Sequence, residues 1–393
     1  MMWSSLIHST PLALLTLCVV TQSLPSNTCT PLANGYEAID DSPAINDALK
    51  QCGNGGTIVL PANQSYSLFT PLDFSPCRNC DFQIEGTLIL AASQLTYYAN
   101  RQRSVFTIAN ATGVRIRSVT GSGVVDGNAY WWYQRTNWSP KQGGYPFVWI
   151  TNSSSDVSVS NLHFKNIQDR VFRLQGNSSD LHFDRLNITA EGINGIYAGF
   201  DNFAFEMGSV KNVSISNVDI DFRAGQNNRP VGTCLAFDHA TDGVEVRNVT
   251  CRRAFMGAQI QFDTMLNSAP SSATTNLTGF AQNILVSNFT FAGDHATGVE
   301  SWWTLSRKVI RNVIWEWVTV EEGTPADFEA CYASQRNSQY YPACVKQASY
   351  DAEVVFRHYR GKVGTPPSDP NWGEFNNELM EVKSVFEDWV ADA

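Results

Sequence analysis

The sequence predicts an all-β fold, a single-stranded parallel β-helix, and three observations support that prediction. Short strand patterns alternate apolar and polar residues, so Val213 and Ile215 share one face while Ser214 and Ser216 share the other. One phrase, V-x-V/I-x-N, recurs roughly every 25 to 40 residues, which is the period range of solenoid proteins. Asparagine follows several of these strands, where stacked coils would align the side chains as a ladder; these residues are Asn161, Asn217, Asn248 and Asn288.

The repeated phrase runs through most of the chain, with copies that begin at Gly113, Asp156, Asp180, Asn212, Gly243, Asn283 and Val309. A unit of two or three short strands cannot bury its own apolar face, so stacked coils are the natural arrangement. An antiparallel sandwich also consists of many short strands, but the spacing of the phrase fits coils better than hairpins. We therefore expect one solenoid domain over residues 24–365.

Two amphipathic patterns predict a helix at each end of this domain. Ser42–Cys52 reads as a short helix with Ser42 as its N-cap, and it would cover the exposed backbone edge of the first coil. Phe375–Val390 reads as a second helix, so residues 366–393 are predicted to form a C-terminal helical cap.

The N-terminus predicts export from the cell. Pro11–Val20 is an apolar run too short to span a bilayer, and small residues follow it, so residues 1–23 are interpreted as a signal peptide. The residues before the run contain no Lys or Arg, which departs from the usual pattern. Of the nine cysteines, Cys18 lies in this segment. The others fall into neighbouring pairs that predict four disulfides, Cys29–Cys52, Cys77–Cys80, Cys234–Cys251 and Cys331–Cys344.

The surface of the mature chain is expected to be acidic and glycosylated. N-glycosylation sequons occur at Asn63, Asn110, Asn137, Asn152, Asn177, Asn187, Asn212, Asn248, Asn276 and Asn288. The net charge of −10 argues against nucleic acid or an acidic polymer as partner, because both require a basic surface. The sequence has no metal-ligand cluster and no phosphate-binding motif, so no metal or cofactor is expected. We expect an extracellular monomer without a membrane span, acting on a carbohydrate polymer or a small molecule.

Several longer phrases are similar to those of a known family: TIVLP from Thr57, IEGTL from Ile84, GSGVVDGNAYWW from Gly121, the coil repeat, and the half-cystines Cys234 and Cys251. Together they resemble the polygalacturonases and relatives of glycoside hydrolase family 28, from about Thr57 to Gly364. The resemblance implies secretion and a right-handed parallel β-helix of the pectin-lyase type. It also implies hydrolysis of glycosidic bonds in pectic polysaccharides.

The residues at the family's catalytic positions differ from those the resemblance implies. The family motif N-T-D-G-F-D aligns with Asp201 to Glu206 and places Phe203 where the family has a catalytic aspartate. The family motif G-D-D-C places Gly232 and Thr233 where the family has two further aspartates. The catalytic histidine position is Phe255. Inverting hydrolysis requires one protonated and one ionised carboxyl group, and each lost role typically costs ~10²–10⁴-fold in rate. The inherited pectinase mechanism is therefore not expected to operate.

The remaining polar residues supply other candidates. Asp201 reaches a catalytic position through a two-residue shift, and Glu300 occupies the family's lysine position with a one-residue gap; both are candidate catalytic residues. The candidate substrate-binding residues are Asp169, Arg170, Phe203, Thr233, Phe255, Trp302 and Trp303. The aromatic side chains among them would stack on neutral sugars, enclose an apolar molecule, or fill the space that the family's charged catalytic residues occupy. Acid–base-like pairs also occur at the ends of two strands, Asp238–His239 and Asp294–His295.

Two functional hypotheses follow. The first is a secreted enzyme that hydrolyses a polysaccharide with relocated carboxylates. The second is a non-hydrolytic descendant, either a sugar-binding protein or an aromatic pocket that steers the cyclisation or rearrangement of a small metabolite by positioning alone. A structural role in a cell wall is supported only by the predicted secretion and glycosylation.

Overall fold

The structure is a computed structural model. It describes residues 27–91, 104–128, 146–167, 170–191, 203–223, 232–261, 278–300, 307–329, 349–361, 380–387 and 390–391. In chain order the elements are β1 (Thr28–Cys29), α1 (Ser42–Cys52), β2 (Thr57–Leu60), β3 (Ser65–Leu68), β4 (Leu72–Asp73), β5 (Arg78–Ile84), β6 (Thr87–Leu90), β7 (Phe106–Ala109), β8 (Thr112–Arg117), β9 (Val124–Asp126), β10 (Val148–Thr151), β11 (Ser155–Lys165), β12 (Arg170–Leu174), β13 (Ser178–Glu191), β14 (Phe203–Met207), β15 (Val210–Arg223), β16 (Thr233–Phe237), β17 (Thr241–Gln261), β18 (Thr278–Glu300), β19 (Arg307–Glu329), β20 (Ser349–Arg357), β21 (Arg360–Gly361), β22 (Met380–Glu387) and β23 (Val390–Ala391).

All described strand pairs between these elements are parallel, and the strands wind into a solenoid with three faces, which we name A, B and C. Face A consists of β4, β7, β10, β12, β14 and β16, followed by the last parts of β17, β18 and β19. Face B contains β1, β2, β5, β8, β20 and β22, and face C contains β3, β6, β9, β21 and β23. The long strands β11, β13, β15, β17, β18 and β19 bend from face B into face C.

The core is a stack of apolar rows in which each coil contributes one residue to each row. One row on face A consists of Phe106, Val148, Phe172, Phe205 and Leu235, each at most 1% exposed. The rings of Phe172 and Phe205 stack with centroids 4.9 Å apart, and Phe183 meets Phe205 edge-on at 5.2 Å. Because side chains alternate along a strand, the residues between these apolar ones point away from the core.

Asparagines occupy a corner between faces B and C, where the backbone turns with positive φ. Asn161, Asn217, Asn248 and Asn288 have φ of 57°, 54°, 55° and 53°, a conformation that asparagine adopts more readily than most residues. The Nδ2 atom of Asn288 donates to Oδ1 of Asn248 (2.6 Å), and Nδ2 of Asn248 donates to Oδ1 of Asn217 (3.1 Å). The predicted asparagine ladder is confirmed for these three residues, whereas Asn161 donates to the carbonyl oxygen of Ser118.

The predicted N-terminal helix is confirmed, with one correction at its start. Helix α1 has the predicted bounds, and Ile45 and Leu49 on its inner face are fully buried. The N-cap is Asp41, not Ser42, and the Asp41 side chain makes no capping hydrogen bond to the helix. The Asp41 carboxylate instead accepts a hydrogen bond from the backbone N–H of Ser67 at 2.8 Å. Asp41 therefore ties the start of the helix to the first coil.

Three of the four predicted disulfides are formed, namely Cys29–Cys52, Cys77–Cys80 and Cys234–Cys251. Cys29–Cys52 joins β1 to the end of α1, and Cys234–Cys251 joins β16 to β17. The fourth predicted pair, Cys331–Cys344, lies outside the described residues, as does the predicted signal peptide.

The predicted C-terminal helix is wrong over the part that the structure describes. Residues 380–387 form β22, which pairs in parallel with β20, and β23 pairs with β21. The last coil presents unpaired backbone groups that an extended segment satisfies. The run from Met380 to Lys383 also alternates apolar and charged residues, so it fits a strand period as well as a helix period. Among the described helices, none is long and apolar enough to cross a membrane.

Candidate functional site

The outward side of face A carries an unusually buried row of side chains. Arg173, Glu206, Ala236 and Gln259 are in register on consecutive strands and lie between the inward apolar rows. Glu206 is 1% exposed and Gln259 is 2% exposed, although both alternate away from the core. Buried charges and amides of this kind persist only with polar partners, so their contacts define the site.

Glu206 is the centre of an ion cluster that joins two coils. Its Oε2 atom lies 2.6 Å from Nε of Arg170 and 3.1 Å from Nε of Arg173, both from β12, the preceding strand of face A. The other carboxylate oxygen, Oε1, is buried and accepts no hydrogen bond from the described residues. An unsatisfied buried acceptor costs roughly 1–3 kcal/mol, so Oε1 would gain from a donor supplied by a ligand. Glu206 aligns with the last position of the family's N-T-D-G-F-D motif and is not among the candidate residues that the sequence suggests.

The predicted residues Arg170, Phe203 and Thr233 are brought together at the start of the face A strands. Arg170 pairs with Phe203, Phe203 with Thr233, and Thr233 with Met256. The Arg170 guanidinium lies over the Phe203 ring, 5.0 Å from its centroid, and Phe203 is only 5% exposed. Phe203 therefore supports the arginine, because its ring is not open for stacking on a sugar.

Phe255 contributes to a separate contact further along face A. Its ring meets the His295 ring edge-on with centroids 5.4 Å apart. Nδ1 of His295 lies 2.7 Å from the hydroxyl of Thr324 on the next coil. His295 is in register with Met256, so an imidazole is present on face A one coil later than Phe255 and one residue further along the strand.

Asp238 and His239 form a contact at the end of β16. Asp238 is 1% exposed, and its Oδ1 lies 2.6 Å from the backbone nitrogen and 3.3 Å from Nδ1 of His239. The hydrogen bond to the Asp238 carboxylate raises the pKa of His239 above its usual value. The carbonyl oxygen of Asp238 accepts from the hydroxyl of Thr241, so this aspartate also shapes the turn that the sequence predicts there.

The other predicted site residues are only partly described. The backbone of Glu300 ends β18, in register with Gln261 on one side and Glu329 on the other. Asp169, Asp201, Trp302 and Trp303 lie outside the described residues. The described part of the chain contains no group of three or more His, Cys, Asp or Glu residues that could hold a metal ion.

Comparison with solved structures confirms the predicted fold class, a right-handed parallel β-helix of the pectin-lyase type. The crystal structure of an endo-xylogalacturonan hydrolase from Aspergillus tubingensis superposes with a TM-score of 0.71, at 22% identity and over 93% of both chains. At that identity the likeness defines the fold alone.

Sequence comparison identifies the family. The model for glycosyl hydrolases family 28 matches residues 52–252 of the 393. A probable endo-xylogalacturonan hydrolase A from Emericella nidulans is 30% identical over 356 residues, which cover 88% of this chain and 82% of the relative. The protein therefore belongs to glycosyl hydrolases family 28.

A second relative is more similar over a shorter stretch. A probable endo-xylogalacturonan hydrolase A from Aspergillus flavus is 36% identical over 231 residues, or 58% of this chain. That match spans about half, 53%, of the relative's own length.

Proposed function

We propose that the protein hydrolyses a pectic polysaccharide bound along the outward side of face A, with carboxylates other than those of the family's motifs. The relatives are named for hydrolysis of xylogalacturonan, so we propose a xylose-bearing galacturonan as the substrate. Secretion, a signal peptide and glycosylation belong to the same proposal, since a cell-wall polymer is extracellular. The observation that carries the proposal is the register on face A, which places Asp238, Gln261 and Glu300 at neighbouring positions of consecutive strands.

The spacing of this row supports an acid and a base. Asp238 directly follows Phe237, which pairs with Ile260, and Gln261 pairs with Glu300. Asp238 and Glu300 therefore lie two strands apart, roughly 10 Å between Cα atoms. Inverting glycosidases hold their two carboxyl groups about 6.5–9.5 Å apart, with a water molecule and the sugar between them. We propose Asp238 and Glu300 as that pair.

The register does not favour Asp201 and Glu300 as partners on a single bond. Phe203, two residues after Asp201, is three strands and five residues away from Glu300. This separation corresponds to roughly 22 Å between the Cα atoms of Phe203 and Glu300. Asp201 precedes Glu206 by only five residues in the sequence, so we propose it as an alternative acid.

The charges and polar groups of face A support a partly neutral, hydroxyl-rich ligand. Oε1 of Glu206 has no donor among the described residues, so we propose it as an acceptor for a sugar hydroxyl. The net charge of −10 disfavours a bare polygalacturonate chain, because like charges repel at long range. Neutral xylose side chains lower the charge density of the polymer, so we expect them to improve binding.

A second candidate function is favoured by the row that begins the face A strands. In this row an aromatic ring, a hydroxyl and a thioether stand in register, where the family motifs carry charged residues; they belong to Phe203, Thr233 and Met256. All three side chains are at most 5% exposed, so this row suits a closed apolar site for a small metabolite rather than an open surface for a sugar chain.

Reducing-end release by the purified protein distinguishes these functions. The panel consists of xylogalacturonan, unsubstituted polygalacturonan and two neutral polysaccharides. We expect release from xylogalacturonan at a higher rate than from polygalacturonan. Release from a neutral polymer alone would overturn the substrate assignment, and no release from any polymer would leave the non-hydrolytic function as the better account.

A further inference from the structure

The asparagines of the ten sequons differ in what their side-chain amides do in the folded protein. N-glycosylation attaches a sugar to Nδ2, so it competes with any packing and hydrogen bonding at that atom. We infer that folded, exported protein carries N-glycans at the turn asparagines Asn63, Asn110, Asn152 and Asn177, and not at the ladder asparagines Asn212, Asn248 and Asn288. This inference rests on the proposed passage through the secretory pathway.

In the ladder, the sequon amides are already bonded to neighbouring coils. Asn248 uses both of its amide atoms, because Oδ1 accepts from Asn288 and Nδ2 donates to Asn217. Asn212 belongs to a second corner, where its Nδ2 donates to Oδ1 of Asp180 at 3.1 Å. Consecutive coils are only about 4.8 Å apart, so a sugar on one ladder residue would displace the side chains above and below it.

The turn asparagines have the same backbone conformation but no such bonds. Asn63, Asn110, Asn152 and Asn177 have φ of 62°, 52°, 53° and 60° and are exposed. No described hydrogen bond is donated by their side-chain amides. Asn110 and Asn152 follow β7 and β10 directly, at the edge where face A turns towards the next face. A sugar attached to either residue would break no described side-chain hydrogen bond, although the two lie on adjacent coils because Ala109 pairs with Thr151.

Two matched pairs separate the effect of the ladder from the effect of the sequon itself. Asn110 and Asn248 both belong to N-x-T sequons, are exposed, and have φ of 52° and 55°. Asn152 and Asn212 both belong to N-x-S sequons, and both have φ of 53°. Within each pair only the second residue donates a ladder hydrogen bond. Asn187 lies within β13 and belongs to neither group.

The test is site-by-site glycan mapping of protein secreted by a fungal or yeast host. In one arm the full chain is expressed with its own N-terminus, which tests export. In a parallel arm residues 24–393 are expressed behind a leader peptide of the host, so glycan placement is tested even if the native N-terminus does not direct export. Peptides are treated with a glycosidase that converts each glycosylated Asn into Asp in ¹⁸O water, and occupancy is read by mass spectrometry. We expect occupancy at Asn110 to exceed that at Asn248 by about tenfold or more, because a sugar on Nδ2 of Asn248 would disturb its hydrogen bond to Asn217 and displace the stacked side chains during folding.

Equal occupancy at Asn110 and Asn248, or at Asn152 and Asn212, would overturn the inference. A second measurement uses glycine, which removes the side chain without strain at positive φ. We expect Asn248→Gly to lower the midpoint of thermal unfolding by about 3 °C and Asn110→Gly to leave the midpoint of the deglycosylated protein unchanged. Equal midpoints for the two variants would show that the ladder bonds do not distinguish these sites.

Discussion

The ion cluster on face A predicts a large effect for a small change, Glu206→Gln. The substitution keeps the shape of the side chain but removes the charge that faces Arg170 at 2.6 Å and Arg173 at 3.1 Å. A hydrogen bond to a charged group contributes about 1.5–3 kcal/mol and a neutral one about 0.5–1.5 kcal/mol. The Arg170 contact is a hydrogen bond and loses that difference, and the ion pair with Arg173 is weakened as well, so we expect the free energy of unfolding to fall by about 1–3 kcal/mol. Complete removal of one partner of a buried pair costs about 3–5 kcal/mol, which sets the upper bound.

Urea unfolding at neutral pH measures this loss, and the chain offers a matched control. Glu245 also pairs with an arginine, Arg247, but the two side chains are 51% and 50% exposed. An exposed pair contributes about 0–1 kcal/mol, so Glu245→Gln should change the midpoint little. With equal slopes, a lower midpoint for Glu206→Gln alone supports the cluster. Equal midpoints for the two variants would refute the reasoning.

Three further predictions concern the core, a disulfide and the response to acid. Phe205→Ala removes a ring that packs against neighbouring rings at 4.9–5.2 Å and should cost about 3–5 kcal/mol, measured by calorimetry; a loss below 1 kcal/mol would contradict the packing. Replacing both Cys234 and Cys251 with Ser removes a disulfide between residues 17 positions apart and should lower the free energy of unfolding by about 3 kcal/mol. An unchanged midpoint of urea unfolding would argue against that disulfide. Burial opposes ionisation of Glu85, but hydrogen bonds from nearby hydroxyl and backbone N–H groups outweigh it and lower the pKa. The resulting stabilisation is complete above the unfolded-state pKa of about 4.3 and is lost as pH falls through the lower folded-state pKa. Glu85→Gln should therefore flatten the decline of the free energy of unfolding in acid. The control Glu322→Gln, at an exposed position, should leave that decline unchanged.

The coil architecture could be predicted because its determinants are local in sequence. Alternation with a period of two defines each strand, and the corner requires a residue that tolerates positive φ. The sequence meets this requirement with asparagine at Asn217, Asn248 and Asn288, and the structure confirms both features. The C-terminal pattern was ambiguous, because apolar residues around Met380 fit two periods and the open edge of the preceding coil decided between them.

The site was less predictable, because its contacts join residues from different coils. Arg170 and Glu206 are 36 residues apart, and their pairing depends on how the chain between them returns to the next coil. Alternation alone places Glu206 outward, between the apolar Phe205 and Met207, so the sequence contains a signal for an outward carboxylate. The partners of that carboxylate, and the common row of Asp238 and Glu300, follow only from the register of the strands.

The most direct test of the proposed mechanism is the initial rate of reducing-end release from xylogalacturonan by four proteins. These are the wild type, Asp238→Asn, Glu300→Gln and the exposed control Glu353→Gln, each verified as folded by its thermal midpoint. We predict that each of the first two changes lowers the rate by about 10²-fold or more, because each removes one proton-transfer role, and that the control retains the wild-type rate. Full activity in both Asp238→Asn and Glu300→Gln would contradict the account.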